Sequence, residues 1–322
     1  MNIQDLVRNN IKNIKPYSSA RDEFTDFETE MIFLDANENP FDNGVNRYPD
    51  PQQKNVKEFL SEIKRVSSKN ILLGNGSDEV LDLIFRVFCE PTKDNILILP
   101  PTYGMYKVLA DINAVEVKEV FLTKQFQPKT QTILLAANSN TKILFLCSPN
   151  NPTGNSFDVN EMEKLIAEFK GIVVLDEAYI DFSEQESWLN RLEEFPNLII
   201  TQTLSKAYGM AGIRLGICYA SESIISFLNK IKPPYNVNEL TQGKAIFQLK
   251  KNSETNSQIQ QLKEERESLK FQLMDIDFIK ELFPSDANFL LVRVDDATKR
   301  YNQLIEKGIV IRNRTNQPLC EN

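Results

Sequence analysis

The 322-residue sequence contains no histidine. That absence removes imidazole metal sites, Ser-His-Asp and Cys-His nucleophile pairs, and histidine general bases. Proton transfer near neutral pH then falls to a tuned lysine, carboxylate, tyrosine or cysteine, or to a cofactor. Cysteine is scarce: Cys89, Cys147, Cys218 and Cys320 are widely spaced, with no Cys-x-x-Cys pair. They read as reduced thiols of a cytoplasmic protein, and no compact ligand spacing suggests a metal. Basic excess is absent too, with 37 Lys+Arg against 45 Asp+Glu and a net charge of −8. This argues against a nucleic-acid binder, while a few local cations would still suffice for an anionic ligand. No apolar run approaches the roughly 20 residues of a membrane span. The N-terminus lacks the apolar core of a signal peptide, and no internal repeat or low-complexity segment is found.

What is present is an ordinary globular composition, 41% hydrophobic and 25% charged, at a length for one large domain with a satellite or for two domains. A leading helix is expected over Ile3 to Ile14, ended by Pro16. Apolar runs then alternate with amphipathic ones. Ile71-Leu72-Leu73 precedes Gly74-Asn75-Gly76-Ser77-Asp78-Glu79 and a helix with Val80, Leu81, Leu83, Ile84, Val87 and Phe88 at helical spacing. Further strands are expected at 96–99, 115–121, 142–147, 172–175, 198–200 and 216–220, with a helix over 160–169. Near-continuous apolar strands separated by helices mean an α/β domain with a mostly parallel sheet. Beyond Pro233-Pro234, a long charged helix over about 258–274 is expected, with Ile259, Leu262, Leu269 and Leu273 lining one stripe that Arg266 interrupts. Strands at Phe289 to Val294 and Ile309 to Arg312 suggest a smaller α+β domain. The expected division is an arm over 1–35 that contributes to the small domain, a large domain over 36–250, and a small domain over 251–322.

In parallel sheets, ligands sit at the carboxyl ends of strands, and the polar motifs fall there. Asn151 follows one apolar run, Asp176 the next, Lys206 the next. The last lies in Thr203-Leu204-Ser205-Lys206-Ala207-Tyr208-Gly209-Met210-Ala211-Gly212-Ile213-Arg214, a loop of small and hydroxyl residues. A desolvated lysine there can act as a nucleophile. A cofactor that needs an amine for an imine, an anion for a ring nitrogen, a donor for a phenolate and a cradle for a phosphate is pyridoxal 5'-phosphate (PLP). Lys206 supplies the amine and Asp176 the anion. Tyr179 and Asn151 bond the ring oxygen, and Tyr103 stacks on the ring. Gly76-Ser77-Asp78 opens a helix whose backbone N–H groups suit a phosphate dianion, with the Asp78 and Glu79 side chains expected to point away. Thr203, Ser205 and Arg214 complete that cradle. Each motif alone has a plainer reading as a turn, a cap or a packing residue; their joint placement at strand ends favours the site.

With Ser148 to Gly154, Asp176 to Tyr179, and Ser205-Lys206 with Arg214, the sequence resembles the fold type I PLP-dependent aminotransferases over nearly its whole length. Within them it is most similar to the histidinol-phosphate aminotransferase family. That closer resemblance rests on Leu34 to Pro40, Asn46 to Asp50, Leu73 to Glu79, Pro101 to Tyr106 and Gly308 to Arg314. It implies a three-layer α/β/α large domain and a homodimer with sites at the subunit interface. It implies exchange of an amino group between glutamate and imidazole-acetol phosphate in histidine biosynthesis. It further implies that Tyr48 reaches the neighbouring subunit's cofactor phosphate and that Tyr17, Asn37 and Arg312 bind substrate, with Tyr17 in a Pro-Tyr-x-x-Ala-Arg arm and Arg312 on the substrate phosphate. The family pattern continues past Gln317-Pro318-Leu319-Cys320 into a strand whose arginine holds the glutamate carboxylate. This sequence stops at Asn322, so a truncated version is expected, with Arg314 as a partial stand-in. Aromatic aminotransferases and threonine-phosphate decarboxylases share the cofactor motifs. A non-catalytic PLP-binding protein is the rival from another class.

Overall fold

The computed structural model describes residues 2–17 and 32–322. Ser18, Ser19, Ala20 and Arg21 of the expected arm lie outside the described residues. The expected leading helix is interrupted: a 3-10 turn at Ile3–Asp5 is followed by the short helix α1 (Asn9–Asn13). Between them the Arg8 N–H donates to the Val87 carbonyl at 3.0 Å, and the Arg8 guanidinium bonds Glu90. The chain here uses the body of the protein as its hydrogen-bond partner. Ile3, Val7 and Ile11 are nevertheless buried together.

The remaining elements are α2 (Lys54–Lys64), β1 (Ile71–Asn75), α3 (Gly76–Phe88), β2 (Asn95–Ile98), α4 (Met105–Ile112), β3 (Glu116–Glu119), α5 (Thr130–Ala136), β4 (Thr141–Cys147), α6 (Val159–Glu168), β5 (Ile172–Asp176), β6 (Leu198–Thr203), β7 (Leu215–Ala220), α7 (Glu222–Ile231), α8 (Glu239–Leu249), α9 (Asn252–Leu273), β8 (Ile279–Leu282), β9 (Val292–Val294) and α10 (Ala297–Glu306). Strands β1 to β7 form one sheet in the order β1-β7-β6-β5-β4-β2-β3. The run from β3 through β6 is parallel, and β7 is antiparallel to both β6 and β1. The fold is therefore α/β with a mostly parallel sheet and helices on both faces.

Alternation along the strands divides the core. Leu73, Leu97, Leu144, Val173, Ile200 and Ile217 face one layer with α2, α5, α6 and α8. Leu72, Ile96, Ile143, Val174, Ile199 and Cys218 face the other with α3, α4 and α7. Each fully buried aliphatic side chain contributes about 2 kcal/mol before ordering costs. This is why the strands read as uninterrupted apolar runs. Helix α6 starts where Asp158 accepts from the Asn160 and Glu161 N–H groups, a side-chain N-cap.

Three details depart from the expected pattern. Strands β8 and β9 pair antiparallel in a separate sheet, but β9 is confined to Val292–Val294, shorter than the run beginning at Phe289. Ile309 to Arg312 forms no strand. Among the described residues it finds no partner ladder, and Ile309, Val310 and Ile311 are exposed; β-branched sequence makes a strand only where its backbone is paired. On α9 the protected stripe includes Thr255, Ile259 and the 11%-exposed Arg266 side chain, whose guanidinium donates to the Ala287 carbonyl at 2.7 Å. Leu262 and Leu269 are exposed. The arginine that interrupts the expected stripe thus buries its stem, while two of the stripe's leucines stay exposed.

One backbone approach fixes the geometry at the strand ends. A Cβ on Gly216 in β7 would overlap the backbone of Gly76 and Ser77. By contrast, a Cβ on Gly243, in α8, meets nothing within 4 Å. We expect Gly216→Ala to cost about 1–3 kcal/mol through overpacking. Gly243→Ala should be neutral or stabilise by roughly 0.5–1 kcal/mol, the helix-interior preference for alanine. Denaturant unfolding of both variants checks this pair.

Candidate active site

A cavity of about 120 Å³ lies at the carboxyl ends of the central strands. Ser77 and Asp78 enter from the first turn of α3, and Tyr103 from the loop after β2. Cys147 and Asn151 come from the end of β4, and Asp176, Ala178 and Tyr179 from the end of β5. Thr203, Ser205 and Lys206 follow β6, and Arg214 precedes β7. The alternating apolar runs deliver one polar group after another to the same edge.

Asp176 is 3% exposed. Its Oδ1 accepts from the Ala178 N–H at 3.1 Å and its Oδ2 from the Tyr106 hydroxyl at 2.8 Å. Burial pushes its carboxyl above the usual carboxylate range, and these donors oppose that. Among the described residues no Lys or Arg side chain pairs with it. The neighbouring Glu177 is also buried and raised by desolvation, but it accepts from Ser187 Oγ at 2.5 Å, the Trp188 N–H at 2.8 Å and Gln202 Nε2 at 2.9 Å. Glu177 is thus absorbed by a closed network, whereas Asp176 lines the cavity.

Asn151 Nδ2 donates to the Tyr179 hydroxyl at 3.2 Å. Burial raises the Tyr179 phenol to about 12, with the Arg314 guanidinium acting in the opposite direction. The Lys206 ammonium lies 5.5 Å from the Tyr179 ring centroid. Its loop is tight: Thr203 Oγ1 accepts from the Ser205 N–H at 3.1 Å, and the Lys206 carbonyl accepts from the Gly209 N–H at 3.1 Å. Leu204 and Ala207 are buried, but Lys206 itself is exposed, not desolvated as its loop composition suggested. The side chain emerges from an apolar footing into the open side of the cavity.

The opposite end has the character of an anion cradle. Helix α3 carries no side-chain cap at its start, so part of its N–H array is unclaimed by side chains. A Cβ on Gly76 would come 2.5 Å from Arg214 Nη2. Gly76 has φ +74° and its N–H donates to the Arg214 carbonyl at 2.9 Å. Arg214 itself sits in the left-handed region at φ 53°. Glu79 turns away, accepting from the Asn75 N–H at 2.6 Å and Asn236 Nδ2 at 2.8 Å. The Asp78 side chain does not turn away. Its Oδ1 accepts from the Tyr103 hydroxyl at 3.2 Å and its Oδ2 lies 3.8 Å from Arg214 Nη2. This corrects the expectation for Asp78: a phenol and a guanidinium within reach draw the carboxylate toward the cavity.

Tyr17, Asn37, Tyr48 and Arg312 are not among the residues lining this cavity. Tyr17 is 73% exposed and Arg312 is exposed. Asn37 and Tyr48 line a second hollow of about 540 Å³ with Asn238 and Leu240. There Tyr48 stacks on Tyr235 at 4.5 Å between centroids. Two structural participants went unnoticed in the sequence. Tyr106 is the hydroxyl beneath Asp176. Asn150 is fully buried and ties loops together, donating to the Pro101 carbonyl at 2.9 Å and Thr153 Oγ1 at 2.7 Å while accepting from Thr102 Oγ1 at 3.2 Å. The repeated tyrosine in Tyr103-Gly104-Met105-Tyr106 was the available signal for the first.

The family model for aminotransferase class I and II matches residues 29–322. A histidinol-phosphate aminotransferase of Flavobacterium johnsoniae is 66% identical over 321 residues, covering 99% of this chain and 92% of that protein. Among solved structures, histidinol-phosphate aminotransferase from Clostridium acetobutylicum aligns with a TM-score of 0.77 at 25% identity, over 85% of this chain and 83% of that one. The Sinorhizobium meliloti enzyme, crystallised with pyridoxal-5'-phosphate, aligns with a TM-score of 0.78 at 22% identity, over 85% and 77%. Among the described residues no helix is long and apolar enough to cross a membrane.

The raised Asp176 pKa has a consequence for stability. A carboxyl that is harder to ionise in the folded state leaves stability intact below its unfolded value near 4, and loses it as pH rises toward the folded pKa. Asn can keep the Ala178 contact and accept from Tyr106 less well, but carries no buried charge. Cofactor-free Asp176→Asn should therefore melt no lower than wild type at pH 7, and the difference between the two should shrink toward pH 4. Thermal melts at both pH values check this.

Proposed function

The chain belongs to the class I and II aminotransferase family, and from that membership we propose that it interconverts L-histidinol phosphate and 2-oxoglutarate with imidazole-acetol phosphate and L-glutamate, a step of histidine biosynthesis. Its cofactor is pyridoxal 5'-phosphate. The observation that carries the reading is the single cavity in which Lys206, the buried Asp176, the Asn151–Tyr179 pair and the start of α3 with Arg214 converge. The identity to the Flavobacterium johnsoniae enzyme, 66% over 99% of the chain, supports this substrate pair.

The residues present fit the cofactor. The cavity offers an amine, a buried carboxylate with no cationic partner among the described residues, two donors for a phenolate oxygen, and a helix start without a side-chain cap beside an arginine. Gly76 leaves open a space in which a Cβ would strike Arg214. When bound, PLP supplies an electron sink for the charge that develops at the substrate carbon. Asp176 holds the proton of the ring nitrogen, and the cationic ring in turn offsets its burial. Asn151 and Tyr179 donate to the ring oxygen. Tyr103 packs on the ring. The Ser77 and Asp78 N–H groups, with Thr203, Ser205 and Arg214, hold the phosphate. Lys206 would hold the cofactor through its side-chain amine, and that amine, when free, would be placed to hold and move a proton at the substrate carbon. The exposure of Lys206 suits a group that must release one partner and serve another.

For the substrate we assign Tyr17, Asn37 and Arg312, with Arg312 on the phosphate of the amine. We further propose a homodimer in which Tyr48 reaches the neighbouring subunit's cofactor phosphate. Its place outside the cavity of its own subunit is compatible with that. A cytoplasmic location, and a division into an arm over 1–35, a large domain over 36–250 and a small domain over 251–322, complete the reading.

The deciding experiment titrates the PLP-loaded protein with glutamate and with histidinol phosphate while following its visible absorbance. Both should convert the chromophore, whereas phenylalanine and threonine phosphate should do so far less. Equal or better conversion by either of those would reassign the substrate. Lys206→Ala should leave no pyridoxyl group on the protein after borohydride treatment, read by mass spectrometry. Asp176→Asn should lose turnover by about 10²–10³-fold, the scale for removing one preorganised electrostatic partner. For Arg312→Ala the expected change is about a tenfold or greater rise in KM for histidinol phosphate, from loss of a charge-assisted contact, with little change for glutamate.

A further inference from the structure

We propose that Tyr106 is a positioning residue for the reaction, holding Asp176 ionised and in fixed orientation beneath the cofactor ring. The inference rests on the reading of Asp176 as the ring-nitrogen partner. Tyr106 is fully buried in α4, and its hydroxyl meets Asp176 Oδ2 at 2.8 Å. Its ring is clamped on both sides of that bond. It stacks on Phe145 with centroids 4.6 Å apart and planes 13° from parallel, and Phe145 in turn stacks on Phe85 at 5.4 Å. Tyr103 meets it edge-on at 5.5 Å. With the ring immobile, the hydroxyl proton has little freedom except rotation about the C–O bond. The ionised carboxylate is the stronger acceptor in its reach, because Cys147, the thiol on its other side, is held protonated by burial.

The arrangement divides the work between the two carboxylate oxygens. Oδ1 takes the Ala178 N–H and Oδ2 takes the Tyr106 O–H. An ionised carboxylate has about four lone-pair sites, so two protein donors fix its plane and still leave capacity for a third, the ring N–H. A hydrogen bond to an ionised group contributes more than a neutral one, and here it favours the charged form that burial disfavours. Through its edge contact with Tyr103, Tyr106 also couples the residue under the ring nitrogen to the residue assigned to the ring face. The other titratable groups facing the pair are Asp78, Tyr103, Cys147, Tyr179 and Lys206, and all of them remain in the variants below.

The test uses Tyr106→Phe, which keeps the stack and removes the donor. The readouts are the pH midpoint of the visible absorbance of the PLP-loaded protein and the PLP dissociation constant. A weaker hold on the ring-nitrogen proton makes the ring less electron-withdrawing, so the midpoint should move upward. The dissociation constant should rise about tenfold, the scale of one charge-assisted hydrogen bond. The same substitution is then made in an Asp176→Asn background. If Tyr106 acts through Asp176, its effect should largely vanish there. An equal shift in both backgrounds would mean a general packing role and overturn the proposal. So would a wild-type midpoint in Tyr106→Phe alongside a shifted one in Asp176→Asn, which leaves the Asp176 reading standing. If Asp176→Asn itself shifts nothing, the Asp176 reading falls and takes this inference with it. Should Tyr106→Phe fail to fold or load PLP, Phe145→Leu loosens the ring and leaves the hydroxyl. A smaller shift of the same sign is then expected, and no shift would overturn the proposal.

Discussion

The constraint on which the site depends is a carboxylate buried at the end of a central strand with no cation beside it among the described residues. Asp176 sits 3% exposed at the carboxyl end of β5, flanked by β4 and β6 in parallel register. An isolated ion in that setting is costly. The fold reduces the cost with the Ala178 N–H, the clamped Tyr106 phenol and the neighbouring Thr201 hydroxyl, and burial still outweighs them. In the proposed reading a cationic ring nitrogen supplies a partner, and binding it would offset part of the cost of that burial. Glu177, next in sequence, shows the alternative outcome, because three donors close around it and it has nothing left to offer a ligand.

The phosphate end solves the opposite problem with backbone. Gly76 and Gly216 bring the start of α3 against β7 so closely that neither position has room for a Cβ. The Gly76 N–H is committed to the Arg214 carbonyl, which fixes the arginine's own backbone beside the helix terminus. The guanidinium is therefore placed by main chain, while its charge is matched only loosely by Asp78 at 3.8 Å. An exposed pair at that distance contributes little, so a phosphate competes for Arg214 against a weak partner. The Tyr103 hydroxyl already engages Asp78 and leaves the carboxylate another contact when the arginine turns to an anion.

Much of this was legible in the sequence, for a physical reason. In a parallel sheet buried on both faces each strand is an apolar run, and its end is marked by the first polar residues. Asn151, Asp176 and Lys206 could be read as neighbours from that rule alone. Tyr106 and Asn150 could not, because their roles come from partners far along the chain: Tyr106 bonds a carboxylate 70 residues away, and Asn150 the Pro101 carbonyl 49 residues back. Periodicity misled on α9, where Leu262 and Leu269 are exposed while Arg266, on the same stripe, buries its stem. It also misled at Ile309 to Arg312, where β-branched residues lack a ladder to join. The orientation of Asp78 turned on the tyrosine opposite it, which no local pattern encodes.

The segment between β8 and β9 bears directly on the chemistry, although it lies outside the main sheet. Gly154, at φ +82°, leaves a gap into which Ser285 packs so closely that a Cβ would come 2.7 Å from its hydroxyl. The Asp286 N–H donates to the Gly154 carbonyl at 2.7 Å, and Asp286 Oδ2 accepts from the Ser156 N–H at 2.9 Å. Three residues on, Phe289 meets the Tyr179 ring edge-on at 5.2 Å. The loop carrying Asn151 and the tyrosine that Asn151 bonds are therefore braced by the same short stretch. A shift of this stretch would move both donors assigned to the cofactor's ring oxygen together, while Asp176, held from beneath by β5 and Tyr106, would stay in place. In the proposed reading, the groups assigned to the ring nitrogen are held by the main sheet and α4, and those assigned to the ring oxygen also lean on the stretch between β8 and β9.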